Sequence, residues 1–317
     1  MDASIASATS VAQRIISNVG RTLQGKEDNV ALAVMALLAR GHLLIEDVPG
    51  VGKTTLARSL AQSVAVSYRR VQFTSDLLPS DVLGGSVYHQ ATGHFSFRPG
   101  PLFTHVLLAD EINRTPPRTQ SALLEAMEER HVSIDGETHV LEEPFFVVAT
   151  QNPREFYGTY PLPESELDRF LLRIDLGYPP AHVEKELIAT REQNGSIPDL
   201  QPVAERHALL AAQDAVNRIQ IQSHIVGYIH QIITATRQTP LLDLGASTRA
   251  ALALSRAVRS RALVLGRDHV TPDDVKAMVV PALAHRVRVA GVSDTPLVRG
   301  EAVRIIEDIL HALPVPL

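Results

Sequence analysis

Asp47-Val48-Pro49-Gly50-Val51-Gly52-Lys53-Thr54 follows an apolar stretch, 42–45, and opens a run with helical character, 54–66. A strand that turns through glycines into a helix builds a phosphate-binding loop. The glycines let the backbone curl until its N–H groups point inward at a polyphosphate. The helix N-terminus adds partial positive charge at the same place. Lys53 is placed to reach the β- and γ-phosphates, and the Thr54 hydroxyl to ligate Mg²⁺. Val48, Pro49, Gly50, Val51, Gly52 and Thr55 complete the expected nucleotide-binding set. Lysine is scarce in this chain: Lys26, Lys53, Lys185 and Lys276 are the only four among 30 basic residues. One of the four stands in this loop.

Asp47 departs from the pattern, which usually begins with glycine. Aspartate tolerates left-handed backbone better than most residues, so the turn is compatible with it. Its carboxylate must point away from the phosphates or be paired, because like charges repel.

The chain has 317 residues, 45% of them hydrophobic, which suits one large or two ordinary domains. A net charge of −5 leaves no footprint for nucleic acid. Cysteine is absent, which excludes disulfides, thiolate metal sites and cysteine nucleophiles. The thirteen histidines form no metal-ligand spacing. The start lacks the basic and apolar regions of a signal peptide, and the longest apolar run, 30–39, is too short to cross a bilayer. A cytoplasmic protein is expected.

The first forty residues carry apolar positions at helical spacing, such as Val11, Ile15 and Val19. Strands are then expected at 42–46, 69–73, 105–110, 144–150 and 171–176, alternating with helices. Their apolar runs lack period-two alternation, as in parallel strands covered on both faces. A doubly wound α/β sheet follows. After Gly177-Tyr178-Pro179-Pro180 strand signals nearly vanish, and helices are expected at 182–193, 204–217, 224–237, 247–265, 272–284 and 300–312. Two hairpins interrupt the α/β part, at 86–98 around Ala91-Thr92-Gly93-His94 and at 131–142 around Asp135-Gly136. They either trim a sheet edge or project into a partner or pore.

Val106-Leu107-Leu108-Ala109-Asp110-Glu111 is an apolar strand that ends in two carboxylates. Asp110 suits a contact to Mg²⁺, and Glu111 suits a base that polarises the attacking water. Val147-Val148-Ala149-Thr150-Gln151-Asn152 ends another strand in polar groups, where the neutral amide of Asn152 suits holding that water.

Asp110-Glu111-Ile112-Asn113-Arg114-Thr115-Pro116-Pro117, Ala149-Thr150-Gln151-Asn152-Pro153, Leu167-Asp168-Arg169-Phe170 and Gly245-Ala246-Ser247-Thr248-Arg249-Ala250 together resemble the MoxR family of AAA+ ATPases. The likeness runs from about Gly25 to His285 in the family's order. It implies an AAA+ P-loop nucleotide-binding domain over 1–178, a parallel sheet between helices, followed by an all-α lid over 179–317. Asn152 would be sensor 1, Arg169 the arginine finger and Arg249 sensor 2. The hairpin at 86–98 would be the helix-2 insert, and that at 131–142 the hairpin before sensor 1. Arg173, four residues beyond Arg169, remains a second candidate for the finger, and a local pair with Glu166 remains an alternative use of Arg169. Arg249, just after the N-cap residue Ser247, is placed to sense the γ-phosphate and draw the lid over it.

The family's activity is Mg²⁺-dependent ATP hydrolysis, with chaperone or assembly functions, hexameric rings and von Willebrand factor A (VWA) domain partners. A magnesium-chelatase-like motor subunit and a slow nucleotide-dependent binding switch are the competing expectations. A DNA translocase fits the acidic balance poorly. A GTPase is disfavoured because no Asn/Thr-Lys-x-Asp motif is present.

Overall fold

The computed structural model describes residues 3–91, 93–152, 158–194, 200–291 and 296–316. Thr92, in the first expected hairpin, and Pro153, at the end of the sensor segment, lie outside them. Helices α1 (Ala3–Gly20) and α2 (Glu27–Leu38) lead into β1 (Leu43–Glu46) and α3 (Lys53–Ser63). Then come β2 (Tyr68–Gln72), α4 (Pro79–Leu83), the hairpin β3 (Gly84–His89) with β4 (His94–Pro99), and β5 (Val106–Asp110). Helix α5 (Pro117–Glu129) precedes a second hairpin, β6 (His131–Ile134) with β7 (Glu137–Val140). β8 (Phe146–Gln151), α6 (Glu164–Leu167) and β9 (Leu172–Ile174) close the α/β part.

Five strands form one parallel sheet in the order β2-β5-β8-β1-β9. The P-loop strand is flanked by β8 and β9, and the β5 carboxylates emerge two strands away at the same C-terminal edge. Ligands of open α/β sheets bind at that edge. β1 and β8 are buried at every position, which explains their unbroken apolar runs. Fully buried residues such as Leu43, Leu44 and Ile45 each contribute about 1.5–3 kcal/mol.

Both hairpins form where the turn chemistry placed them. A methyl group on Gly84 would meet the Arg98 carbonyl oxygen at 2.3 Å, so only glycine lets the two strands of the first hairpin close at their base. The two hairpins touch each other. Phe97 stacks on His139 with ring centroids 3.8 Å apart, and the Ser86 hydroxyl donates to Asp135 at 2.5 Å.

The C-terminal part contains α7 (Ala181–Asn194), α8 (Arg206–Val216), α9 (Ser223–Gln238), α10 (Thr248–Val264), α11 (Pro272–Leu283) and α12 (Pro296–Ala312). It also holds a two-stranded pair that the sequence did not announce, β10 (Leu242–Leu244) with β11 (Arg288–Val289). Strands of two or three residues are too short to show a periodicity. The N-terminal helices join this part to the sheet. Thr9 Oγ1 donates to the Leu263 carbonyl at 2.7 Å, Ser260 Oγ to Met35 O at 2.8 Å and Gln213 Nε2 to Leu37 O at 2.8 Å. One apolar core therefore runs from α1 through β1 to α10 and α11, and a second lies on the other side of the sheet beneath α5. No described helix is long and apolar enough to cross a membrane.

Candidate functional site

Pro49, Gly50, Gly52, Lys53, Thr54 and Thr55 line a cleft of about 310 Å³ together with Asp110, Glu111, Arg70 and Gln72. Gly50 (φ 86°) and Gly52 (φ 104°) take the left-handed backbone the loop requires. Gly52 caps α3 without a side chain, so the N-cap residue offers no acceptor to the first-turn amides of that helix. An anion at that position would satisfy them. Val51 is buried and Val48 packs against the core, so their side chains leave the cleft. The Val48 amide is already given to its neighbour's carboxylate.

Asp47 solves its charge problem by turning away. Its Oδ1 accepts from Val48 N at 2.7 Å and its Oδ2 from Gly177 N at 2.5 Å. The expected left-handed conformation is not used: Asp47 is absent from the residues with positive φ. The carboxylate is held instead by two amides, one of them in the 177–180 segment. Lys26 secures the same segment, its buried ammonium donating to the carbonyls of Leu176, Gly177 and Tyr178 at 2.5, 2.8 and 2.6 Å. Burial pushes the Lys26 pKa down, and Asp47 partly offsets this. Lys53 Nζ donates to the Asp47 carbonyl oxygen at 2.5 Å, which folds it back over the loop.

At the facing wall, Asp110 Oδ1 accepts from Thr150 Oγ1 at 2.6 Å and Oδ2 pairs with Arg70 at 2.6 Å. Glu111 stands at φ 57° and accepts from Gln72 Nε2 at 2.6 Å, with Arg114 at 3.1 Å. A non-glycine residue in this backbone region stores strain, a frequent mark of functional positions. Thr54 and Asp110 present hard oxygen donors of the kind that would hold Mg²⁺. No cluster of three or more His, Asp or Glu side chains able to hold a metal exists among the described residues. Asn152 is buried just past the end of β8, at the same sheet edge, but does not line the cleft.

Arg169 and Arg249 are brought together elsewhere. Arg169 Nε lies 3.4 Å from Glu128, and Arg249 pairs with the other oxygen of the same carboxylate. They line a second recess, of about 200 Å³, that shares no residue with the P-loop cleft. The lid helix begins as expected, with Ser247 Oγ accepting from Ala250 N at 3.0 Å. The sequence places Arg249 to sense the γ-phosphate and draw the lid over it; in the structure it lines this recess and not the P-loop cleft, because the sequence gives its position on the helix but not which hollow that helix faces. Glu166 does not hold Arg169; it accepts from Ser121 at 3.0 Å. Arg173 is half-buried on β9 and paired with Glu46 at 3.3 Å, so it is engaged at the sheet.

Sequence reasoning missed Arg70, Gln72, Glu128, Arg256 and Arg286. Arg70 and Gln72 alternate along β2, which puts both on the same side, a signal hidden in an otherwise ordinary edge strand. Arg286 is buried and donates to the carbonyls of Asp168 and Phe170 at 2.9 and 2.7 Å, the two residues that flank Arg169.

The profile of the ATPase family associated with various cellular activities (AAA) matches residues 42–172, and that of the AAA lid domain matches 234–309. The YeaC protein of Bacillus subtilis is 45% identical over 303 residues, covering 96% of this chain and 94% of its own. Chaperone MoxR1 of Mycobacterium tuberculosis is 41% identical over 284 residues, covering 87% and 75%. A crystal structure of a candidate ATPase from Cytophaga hutchinsonii matches with a TM-score of 0.88 at 34% identity, over 99% of this chain and 97% of that one.

Proposed function

This chain belongs to the MoxR family of AAA+ ATPases, and from that membership we propose that it hydrolyses ATP in a ring of like subunits to remodel or assemble protein partners. The observation that carries this reading is the division of the machinery between two hollows. Lys53 and the uncapped start of α3 hold a triphosphate, Thr54 and Asp110 hold Mg²⁺, and Glu111 orients and polarises the attacking water. Asn152 supports that site from the end of β8 without lining it. Arg169 and Arg249 face the other recess and therefore serve the triphosphate of a neighbouring copy.

A head-to-tail contact repeated about a rotation axis closes a ring, here a hexamer, and gives each cleft a neighbour's arginines. Such fingers raise phosphoryl-transfer rates by about 10³–10⁵. The hairpins project Tyr88, Phe95 and Val140 into solvent, apolar groups suited to gripping a protein client. A VWA-domain protein is the partner class proposed.

The test mixes a Glu111→Gln subunit with an Arg169→Ala subunit. Each is inactive alone, but at mixed interfaces the first lends its arginine to the second's intact glutamate. ATPase activity should recover in part at assembling concentrations and disappear on dilution. No recovery in verified mixed rings would show that Arg169 does not act across subunits.

A further inference from the structure

Five arginines, Arg40, Arg130, Arg169, Arg249 and Arg256, line the second recess, against only two carboxylates, Glu128 and Asp168. Four of the five are engaged. Arg40 pairs with Asp214 at 2.9 Å, Arg130 with Glu143 at 2.7 Å, and Arg169 and Arg249 share Glu128. Asp168 is taken as well, paired with Arg286 at 2.8 Å and bonded to Ser247 at 3.0 Å. Arg256 has no hydrogen-bond or ion-pair partner among the described residues. It stands seven residues beyond Arg249 on α10, two helical turns along, and so presents its guanidinium on the same face.

We propose that Arg256 is a third arginine acting across the subunit interface, contacting the triphosphate of ATP held on a neighbouring copy. This rests on the ring reading above. A guanidinium left without a carboxylate beside other guanidiniums is unfavourable in the isolated chain. It becomes favourable when a polyanion enters, because its planar donors match phosphate oxygens. Partial desolvation in the hollow lowers the Arg256 pKa, with Arg130 and Arg249 adding to the effect, yet the residue stays exposed, so its guanidinium is open to an entering anion. The subunit's own P-loop cleft shares no residue with the recess. Its phosphates are therefore not the ones Arg256 meets. Continuity with Arg169 and Arg249 favours nucleotide phosphate over a free anion.

The test uses Arg256→Ala and Arg256→Lys in the full chain at concentrations where assembly is verified by sedimentation. Turnover in Arg256→Ala should fall at least about tenfold, with affinity for a fluorescent ATP analogue within about twofold of wild type. Arg256→Lys should recover only part of the loss, since it restores charge without the fork. Mixing Arg256→Ala with Glu111→Gln should restore activity, which a merely structural role would not. Wild-type turnover in assembled Arg256→Ala, or a loss that mixing leaves unrepaired, overturns the proposal. If Arg169→Ala is complemented in the same assay and Arg256→Ala is not, this inference fails while the ring reading stands. If neither is complemented, the ring reading fails first. Inorganic triphosphate supplies the remaining arm. Calorimetric binding of it to Lys53→Ala that depends on Arg256 would assign the recess to a free anion and overturn the ATP assignment.

Discussion

Lys53 and Glu111 share one cleft but hold different parts of the reaction, and substitution should separate them. Lys53→Ala removes the counter-charge for the phosphates, so ATP affinity should fall at least about tenfold. Glu111→Gln keeps the shape and the contact with Gln72 but cannot take a proton. It should bind ATP normally while turnover falls by about 10² or more. Equal ATP affinity in wild type and Lys53→Ala, measured by calorimetry, would refute the first assignment, and near-normal turnover the second. Arg286 answers a different question at the same scale. Its buried guanidinium pairs with Asp168 and bonds the carbonyls on both sides of Arg169. Burial lowers its pKa to about 10, so it stays charged at neutral pH. Removing one partner of a buried pair leaves the other stranded, which costs about 3–5 kcal/mol. Arg286→Ala should show a loss of that order in urea unfolding, and an unchanged midpoint would mean the pair is not maintained in solution.

Strand β2 shows how an element no motif marks can shape the site. Lying at the sheet edge, it sends Arg70 to Asp110 and Gln72 to Glu111. Arg70 competes with a cation for the Asp110 carboxylate. In Arg70→Ala the Mg²⁺ concentration for half-maximal ATPase should therefore fall severalfold, and an unmoved Mg²⁺ titration would show that the pair opens freely. The five sheet strands were legible because burial on both faces leaves continuous apolar runs, and the hairpins because Asp135-Gly136 and Ala91-Thr92-Gly93-His94 have turn chemistry. The P-loop and the carboxylates of β5 were legible because they sit at fixed places on a strand end or helix start. Arg70, Gln72 and Arg256 were not, since each acquires its role from a neighbour distant in sequence. Arg249 falls between the two: its place on the first turn of α10 was readable, whereas the hollow it faces depends on how the lid helices pack against α1 and α2.

That packing makes the whole molecule respond to acid through its buried histidines. His42 sits where the P-loop strand meets α5: its Nδ1 accepts from Val147 N at 3.0 Å, so the proton is on Nε2, which donates to the Met127 carbonyl at 3.1 Å. With both nitrogens committed and Arg130 and Arg256 nearby, the ring is held neutral. Burial is the main cause of its pKa falling from 6.5 to about 4. His285, buried against Phe170 O, is pushed in the same direction. In the unfolded chain both titrate near 6.5, so between pH 6.5 and 4 the unfolded state binds more protons than the native state. Stability is therefore fully present above about pH 6.5 and is lost as pH falls toward the folded pKa values. For His42 alone the loss by pH 4 is about 3 kcal/mol. Because one core joins α1, the sheet and the lid helices, this loss should appear in a single cooperative transition rather than in the lid alone. Urea unfolding at pH 7 and pH 5 measures it: stability should fall between the two, and His42→Gln should take up one proton fewer on unfolding. A flat profile over that interval would mean that His42 is protonated in the folded protein and that its two hydrogen bonds are not as assigned.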